Sequence, residues 1–289
     1  MVITVTGSTG TIGGELVRLL AAAGAPIRAV FRDASKVQPL PGVVWVQADL
    51  GDARTLEPTL AGTTRLFLLG DNAKGFGRLQ IDVLRVAARL GVEYVVKLSA
   101  LGASDHSRSS IAREHWEAEQ ALQQTAMAWT ILRPHAFMQN WLGEVADTVR
   151  SAGVIESPIE DGRVPFIDTR DIAAVAAEAL LRREVHAGHK YVLTGGEAVG
   201  YADLAAALTD VLGKSVAYRP ISMDEARGRM EARRLPPDQV EATLALAAYQ
   251  KAGGPTSMVS DTVARILGRP ARTIRGFVRD YADRFRSQR

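Results

Sequence analysis

Six short apolar runs punctuate the first 150 residues: VITVT, IRAVF, VVWVQAD, LFLLG, YVVKLSA and WTILRP. Between them lie amphipathic helical patterns, IGGELVRLLAAAG, FGRLQIDVLRVAARLG and IAREHWEAEQALQQT, and a further one, FMQNWLGEVADTVRSAG, follows the last. Antiparallel strands can be joined by tight turns, but parallel strands need a crossover, and a helix of this length supplies one. The alternation therefore predicts an α/β fold: a Rossmann-type doubly wound parallel sheet with helices on both faces.

The pattern loosens after about residue 150. GVIESPIEDGRVPFIDT is rich in Pro, Gly and Asp and reads as irregular chain with short strands, DIAAVAAEALL as a helix, and KYVLTGG as a strand and turn. From Tyr201 onward the sequence is mostly helical, broken at Gly213, Pro236-Pro237, Gly253-Gly254-Pro255 and Gly268. The expected organisation is a dinucleotide-binding domain over 1–150, rejoined by segments around 165–195. A small, mainly helical C-terminal lobe over 151–289 is too closely spliced to it to be independent.

Composition narrows the chemistry. The chain of 289 residues has no cysteine, which excludes disulfides, thiolate nucleophiles and sulfur-ligated metal. His106, His115, His135, His186 and His189 show no HxxxH or HExxH spacing, so no metal site is expected. A formal charge of +3, with arginines dispersed and no interleaved aromatics, does not suggest nucleic acid. No apolar run approaches the roughly 20 residues of a membrane span, and no leader precedes the first strand, so a cytoplasmic location with no membrane partner is expected.

Between the first strand and the first helix stands VTGSTGTIGG, with Gly7, Gly10 and Gly13 three apart. In that position Gly7 permits the tight turn and Gly10 lets the backbone approach a pyrophosphate. Gly13 lets helix and strand close together, and the helix N-terminus offers N–H groups and a positive dipole. Thr9, Thr11 and Ile12 would flank the phosphates. The second strand ends AVFRDASK, where an acid would bond a ribose 2′-hydroxyl and a base would bind a 2′-phosphate. Arg32, assisted by Lys36, favours NADP(H) over NAD(H), with Asp33 the discordant neighbour. After the third strand, Asp49 fits either an adenine contact or a helix cap, and Leu50 either covers the ring or joins the core. Gly70, ending LFLLG, lets the backbone approach the adenosine side.

TGSTGTIGG, VFRD, ADL, KLSA, REHWEAEQALQQTAMAWTILRPHAFMQN, IDTRDIA, YVLTGGEAVGYADLAAAL and GRPARTIRGFVRDYADRF together resemble the NmrA-like branch of the atypical short-chain dehydrogenase/reductases. Within that branch they are most similar to the NAD(P)H quinone oxidoreductase-like and triphenylmethane-dye-reductase-like members. The resemblance spans essentially the whole chain. It implies an NADP(H)-binding Rossmann domain, a small C-terminal lobe with nicotinamide and substrate between them, and hydride transfer to a quinone, dye or other small conjugated acceptor. It also admits a catalytically silent NADP-binding regulator with a protein partner, or a secondary-metabolite reductase or isomerase; a homo-oligomer is compatible with each.

Ordinary short-chain dehydrogenases pair a Tyr with a Lys four residues later, and no tyrosine here has such a partner: Tyr94 and Lys97 are three apart in a strand. Where isoflavone-reductase-like relatives carry a catalytic lysine, this chain has His115. His115 and Glu119 are four apart on one helix face, so the carboxylate could orient the imidazole or raise its pKa, making it a proton donor. Against this stands packing: Ile111, Ala118 and Leu122 make that face apolar, and Glu119 can instead pair with a basic neighbour. Ser99 and Ala100 follow the fifth strand where the nicotinamide ribose would lie, and Lys97 can reach either that ribose or the helix of His115. Pro134, His135, Phe137 and Asn140 occupy the turn that borders the nicotinamide in relatives, although Phe137 and Trp141 fit a core stripe equally well.

Overall fold

The structure, a computed structural model, describes residues 1–71, 75–107 and 109–286. Each of the six apolar runs forms a strand, and each is followed by chain that turns back over the sheet. In order come β1 (Ile3–Val5), α1 (Thr11–Ala22), β2 (Ile27–Phe31), β3 (Val43–Gln47), α2 (Ala53–Leu60) and β4 (Arg65–Leu68). α3 (Phe76–Arg89), β5 (Tyr94–Leu98), α4 (Ser110–Gln123), β6 (Ala128–Pro134), α5 (Glu144–Ala152), β7 (Val154–Ser157) and α6 (Thr169–Leu181) follow. The remainder is α7 (Arg183–His186), β8 (His189–Leu193), α8 (Tyr201–Leu212), β9 (Ala217–Pro220), α9 (Met223–Ala232), α10 (Pro237–Ala252), α11 (Thr262–Leu267), α12 (Ile274–Asp280) and α13 (Ala282–Phe285).

These elements form two compact units. The first comprises the described parts of Met1–Pro134, Thr169–Leu193 and Arg265–Gly268. Its sheet is wholly parallel in the order β3-β2-β1-β4-β5-β6-β8, a Rossmann-type doubly wound α/β fold. Ile3 of β1 lies between Ile27 of β2 and Arg65 of β4, so the chain order reverses at β1 and opens the sheet edge there. β1 and β5 are buried along their whole length, as expected of parallel strands covered on both faces.

On one face Leu66, Leu68, Val95 and Ile131 pack with Leu56, Leu60, Val83, Leu84 and Leu122 from α2, α3 and α4. Each such side chain contributes roughly 1.5–3 kcal/mol by leaving water. The two-residue period of a strand carries this face onward from Val95 to Lys97 and from Ile131 to Arg133, so the apolar layer ends in charge at the carboxyl edge. On the opposite pleat the Tyr94 hydroxyl meets Thr130 at 2.6 Å, and burial pushes that phenol up to about 12. Tyr94 is a strand-packing tyrosine, not an acid.

The second unit comprises His135–Asp168, Thr194–Ala264 and the described part of Arg269–Arg289. Its core gathers Trp141, Phe166, Phe277 and Phe285 with Leu204 and Leu208, the Trp141 ring lying 4.7 Å from Phe166 and 5.6 Å from Phe277. FMQNWLGEVADTVRSAG is not one helix: Gly143, at φ −94° and ψ −117°, separates a 3-10 turn over Met138–Leu142 from α5. The expected helical C-terminal stretch also contains β9, which pairs with β7 in parallel, Val154 beside Ala217. No helix among the described residues is long and apolar enough to cross a membrane, and among those residues no three His, Cys, Asp or Glu side chains cluster as a metal set.

Candidate functional site

The loop after β1 is built from backbone. Gly7 takes φ +62°, and a Cβ on Gly13 would stand 2.1 Å from the Gly7 carbonyl oxygen, so the third glycine is demanded by the turn itself. Gly10 differs. It is exposed, has ordinary φ, and an added Cβ would meet only that same carbonyl, at 3.3 Å. Gly10 is also the N-cap of α1, where no side-chain cap hydrogen bond is made and the first turn carries no acid. Thr9 is half-buried, Thr11 exposed and Ile12 buried beneath them. An uncapped, acid-free and accessible helix N-terminus has free N–H groups and positive dipole for an anion, and the residues present fit a dinucleotide pyrophosphate.

At the end of β2, Arg32 projects into solvent and its nearest carboxylate is Asp71 at 3.4 Å, a long contact. The discordant acid is occupied: Asp33 accepts from the Ser35 hydroxyl at 2.7 Å and the Ser35 N–H at 3.0 Å, and these bonds hold its pKa below the usual carboxylate value. Lys36 lies 3.9 Å from the same carboxylate. Asp49 is exposed and accepts from the Gly51 N–H at 2.9 Å, while Leu50 leans partly into the α2–α3 core. Gly70 is half-buried, and the amide nitrogen of Gln80 lies 3.9 Å from where its Cβ would be.

The ends of β5 and β6 are of another kind. Glu119, fully buried on α4, accepts from Arg133 Nε at 2.9 Å and Nη2 at 2.5 Å and from the Ser99 hydroxyl at 2.5 Å, with Lys190 at 3.6 Å. It therefore does not serve His115; of the two pairings the sequence left open, the basic neighbour takes Glu119, because the strand cations reach it first. His115 instead meets Lys97, whose Nζ lies 3.3 Å from Nδ1 and 3.2 Å from the Leu98 carbonyl. The ring of Phe76 stands edge-on, 4.7 Å away, held there because Glu114 of α4 accepts from the Gly77 N–H at 2.8 Å. Burial, reinforced by the Lys97 charge, lowers His115 to about 3. Burial likewise lowers Lys97 to about 7, with Glu119 opposing the shift and Arg133 adding to it. The imidazole is thus neutral at neutral pH, and the expected carboxylate-raised pKa is replaced by its opposite.

With Lys97 donating to Nδ1, the ring hydrogen belongs on Nε2. Among the described residues nothing accepts from that Nε2–H, and Nδ1 is the nitrogen that Lys97 engages. Pro134 closes β6, its carbonyl accepting from the Leu101 N–H, and Ala100 lies half-buried between these strand ends.

Residues 1–251 match the model of the NmrA-like family. The chain belongs to that family. It is 36% identical, over 98% of its length and 99% of the relative's, to the NAD(P)H azoreductase of Xenophilus azovorans. Two solved structures share its fold over 97% of this chain and 99% of theirs. One is the triphenylmethane reductase of Citrobacter sp. complexed with NADP(H), at TM-score 0.86 and 25% identity. The other is the NADPH-dependent quinone oxidoreductase of Escherichia coli complexed with NADPH, at 0.85 and 28%.

Within this NmrA-like chain the remaining sequence candidates fall in the second unit. His135 is buried and uses both ring nitrogens locally, Nε2 with the Thr256 carbonyl at 3.0 Å and Nδ1 with the Ala136 N–H at 2.6 Å; burial lowers its pKa. Phe137 is half-buried and bridges Ile167, Asn140 is exposed, and Trp141 belongs to the core. Sequence reading missed Phe76 beside His115 and the role of Arg133 as partner of Glu119. The second had a signal: Ile131 and Arg133 share strand parity, so an arginine continuing a buried face required a buried acid.

Proposed function

We propose that this chain is an NADPH-dependent oxidoreductase that transfers hydride to a small conjugated acceptor such as an azo dye, a quinone or a triphenylmethane dye. The observation that carries the reading is the accessible, uncapped N-terminus of α1 behind Gly10, set beside exposed Arg32. These are the donors that a pyrophosphate and a 2′-phosphate require. The names of the azo, quinone and triphenylmethane relatives supply the acceptor class.

When bound, NADPH supplies a hydride and leaves as NADP⁺. Gly10, Thr9, Thr11 and the first N–H groups of α1 hold its pyrophosphate, and Arg32 with Lys36 holds the 2′-phosphate. Asp33 stays ionised beside that phosphate, with Oδ1 turned to Ser35 and Lys36 3.9 Å from Oδ2 offsetting its charge. Asp49, Leu50 and Gly70 line the adenosine side. His115 offers Nε2–H toward the acceptor as a neutral donor, while Ser99 and Glu119 fix α4 against β5 and β6.

The reading is tested by following NADPH absorbance with a panel of azo dyes, quinones and cationic triphenylmethane dyes. Turnover with at least one class, faster with NADPH than with NADH, is expected. Tight NADPH binding with no turnover of any class would replace it with a binding-only role.

A further inference from the structure

Nothing in a strand core requires a lysine, yet Lys97 is completely buried at the end of β5, with its ammonium on the histidine already assigned to the acceptor. Alone, His115 is a poor acid: a neutral imidazole that surrenders Nε2–H is left as an anion in a buried place, which is costly. We propose that Lys97 is the proton source for the reaction, passing a proton to Nδ1 of His115 as His115 gives its Nε2 proton to the reduced acceptor. The proposal rests on the reading that His115 faces the acceptor, and it makes Lys97 a positioning and relay residue that does not itself touch substrate.

The balance closes without a further reagent. Hydride addition to an azo bond leaves an electron pair on the second nitrogen. An N–H bond forms there as the His115 Nε2–H bond breaks. A new Nδ1–H bond forms as one Nζ–H bond of Lys97 breaks, so the ring ends neutral, in its other tautomer, and Lys97 ends as a neutral amine; the relay resets in reverse, with Nε2 taking a proton from water as the Nδ1 proton returns to Nζ. Geometry selects this direction: the 3.3 Å contact from Nζ is to Nδ1, which leaves Nε2–H as the proton for the acceptor.

The surroundings suit a lysine that must both hold and release a proton. From α4 it faces His115 and Glu119, the latter favouring its charge; from β6 it faces Arg133, which opposes it; β4 brings only the apolar Leu66 and Leu68 to this layer. Glu119 is already bound by Arg133, Ser99 and Lys190, so it does not clamp the ammonium as a direct salt bridge. Burial leaves Lys97 titrating near neutrality, where an acid is most useful.

The decisive contrast is between acceptors. A neutral azo dye needs a proton after hydride arrives, whereas a cationic triphenylmethane dye becomes a neutral product by hydride alone. In the unaltered protein the azo rate should fall as pH rises through about 7, and the cationic-dye rate should not follow it. In Lys97→Met the ratio of azo to cationic-dye rates should drop at least tenfold, with that pH dependence gone. Independently of turnover, NMR of lysine-labelled unaltered protein should show one side-chain resonance titrating near 7 that is absent from Lys97→Met.

Equal loss on both dyes, or a Lys97 resonance titrating near the ordinary lysine value, would overturn the relay. An azo rate lost in His115→Gln but kept in Lys97→Met would overturn the relay while leaving His115 at the acceptor. An azo rate kept in His115→Gln removes His115 from the acceptor and the relay with it. Silence of the unaltered protein toward every acceptor overturns the oxidoreductase reading as well.

Discussion

At the end of β1 the chain leaves polar atoms open, and at the ends of β5 and β6 it seals them against one another. Gly10 and the first turn of α1 carry no cap and no acid, and Arg32 reaches into solvent. Lys97 bonds to His115, and Ser99 and Arg133 bond to Glu119; all of these but Arg133 are buried. The difference separates two kinds of function on one sheet edge. An anion-binding loop contributes little to folding, because its donors are satisfied by water until ligand arrives. A buried charge cluster is part of the fold, so altering it changes stability, protonation and chemistry together.

The largest effect that sharpens this contrast belongs to Glu119→Ala. Removing the carboxylate leaves Arg133, held at 2.5 and 2.9 Å, with no counter-charge, and deprives Ser99 and Lys190 of the same partner. Breaking a buried pair from one side costs about 3–5 kcal/mol; because Arg133 is partly exposed and can rehydrate, about 3 kcal/mol is expected here. Urea unfolding measures it. A variant as stable as the parent would mean that the cluster is ornamental to the fold.

Acid stability comes next and reports the same cluster. His115 titrates near 6.5 when unfolded and near 3 when folded, so the folded state binds fewer protons in between. Its contribution is fully present above pH 6.5 and is lost as pH falls from 6.5 through 3. His115→Gln, which cannot charge, should therefore lose less stability than the parent over that window, by roughly 3 kcal/mol once some water entry is allowed for. Parallel stability–pH curves for the two proteins would show that the ring is solvated in the folded state.

Much of the open region is legible in the sequence, because its rules are local. A glycine that must accept φ +62° and one whose Cβ would strike a carbonyl are fixed within seven residues of chain, between a strand and a helix. The sealed region is less legible. Whether Glu119 turns to His115 or to Arg133 is decided by which strand lies under α4, a contact that helix spacing does not contain. The same holds for Phe76, which reaches His115 only because α3 and α4 lie side by side. In the second unit the break at Gly143 and the β7–β9 pair escaped reading because a short strand such as AYRP has no pattern long enough to declare its period.

Gly10→Val tests the open region alone. Its Cβ would stand 3.3 Å from the Gly7 carbonyl, a tight contact that the loop relieves by a shift of a few tenths of an ångström, so unfolding free energy should fall by only about 1 kcal/mol. A pyrophosphate on the α1 N–H groups would be held off by the new side chain, and NADPH affinity should fall about 10²-fold, equivalent to about 2.7 kcal/mol. Isothermal titration read against the urea midpoint separates the two. Unchanged affinity would reduce the loop to a turn; stability lost on the scale of Glu119→Ala would dissolve the contrast with it.

The smallest expected effect is the most selective. Arg32 is largely exposed and its existing contact to Asp71 is long, so removing it takes almost nothing from the folded protein. A charge-assisted bond to a 2′-phosphate is worth about 1.5–3 kcal/mol, but Asp71 competes for the same guanidinium and water screens the site, which places the effect at the lower end. Arg32→Ala should then weaken NADPH about tenfold and NADH less than twofold, with the NADPH loss shrinking as salt is raised. Asp71→Asn, which removes the competitor, should move NADPH affinity the other way by a smaller factor. Equal losses for both dinucleotides in Arg32→Ala would take the 2′-phosphate away from this arginine, and a preference for NADH in the unaltered protein would turn Asp33 from a residue occupied by Ser35 into the one that reads the ribose.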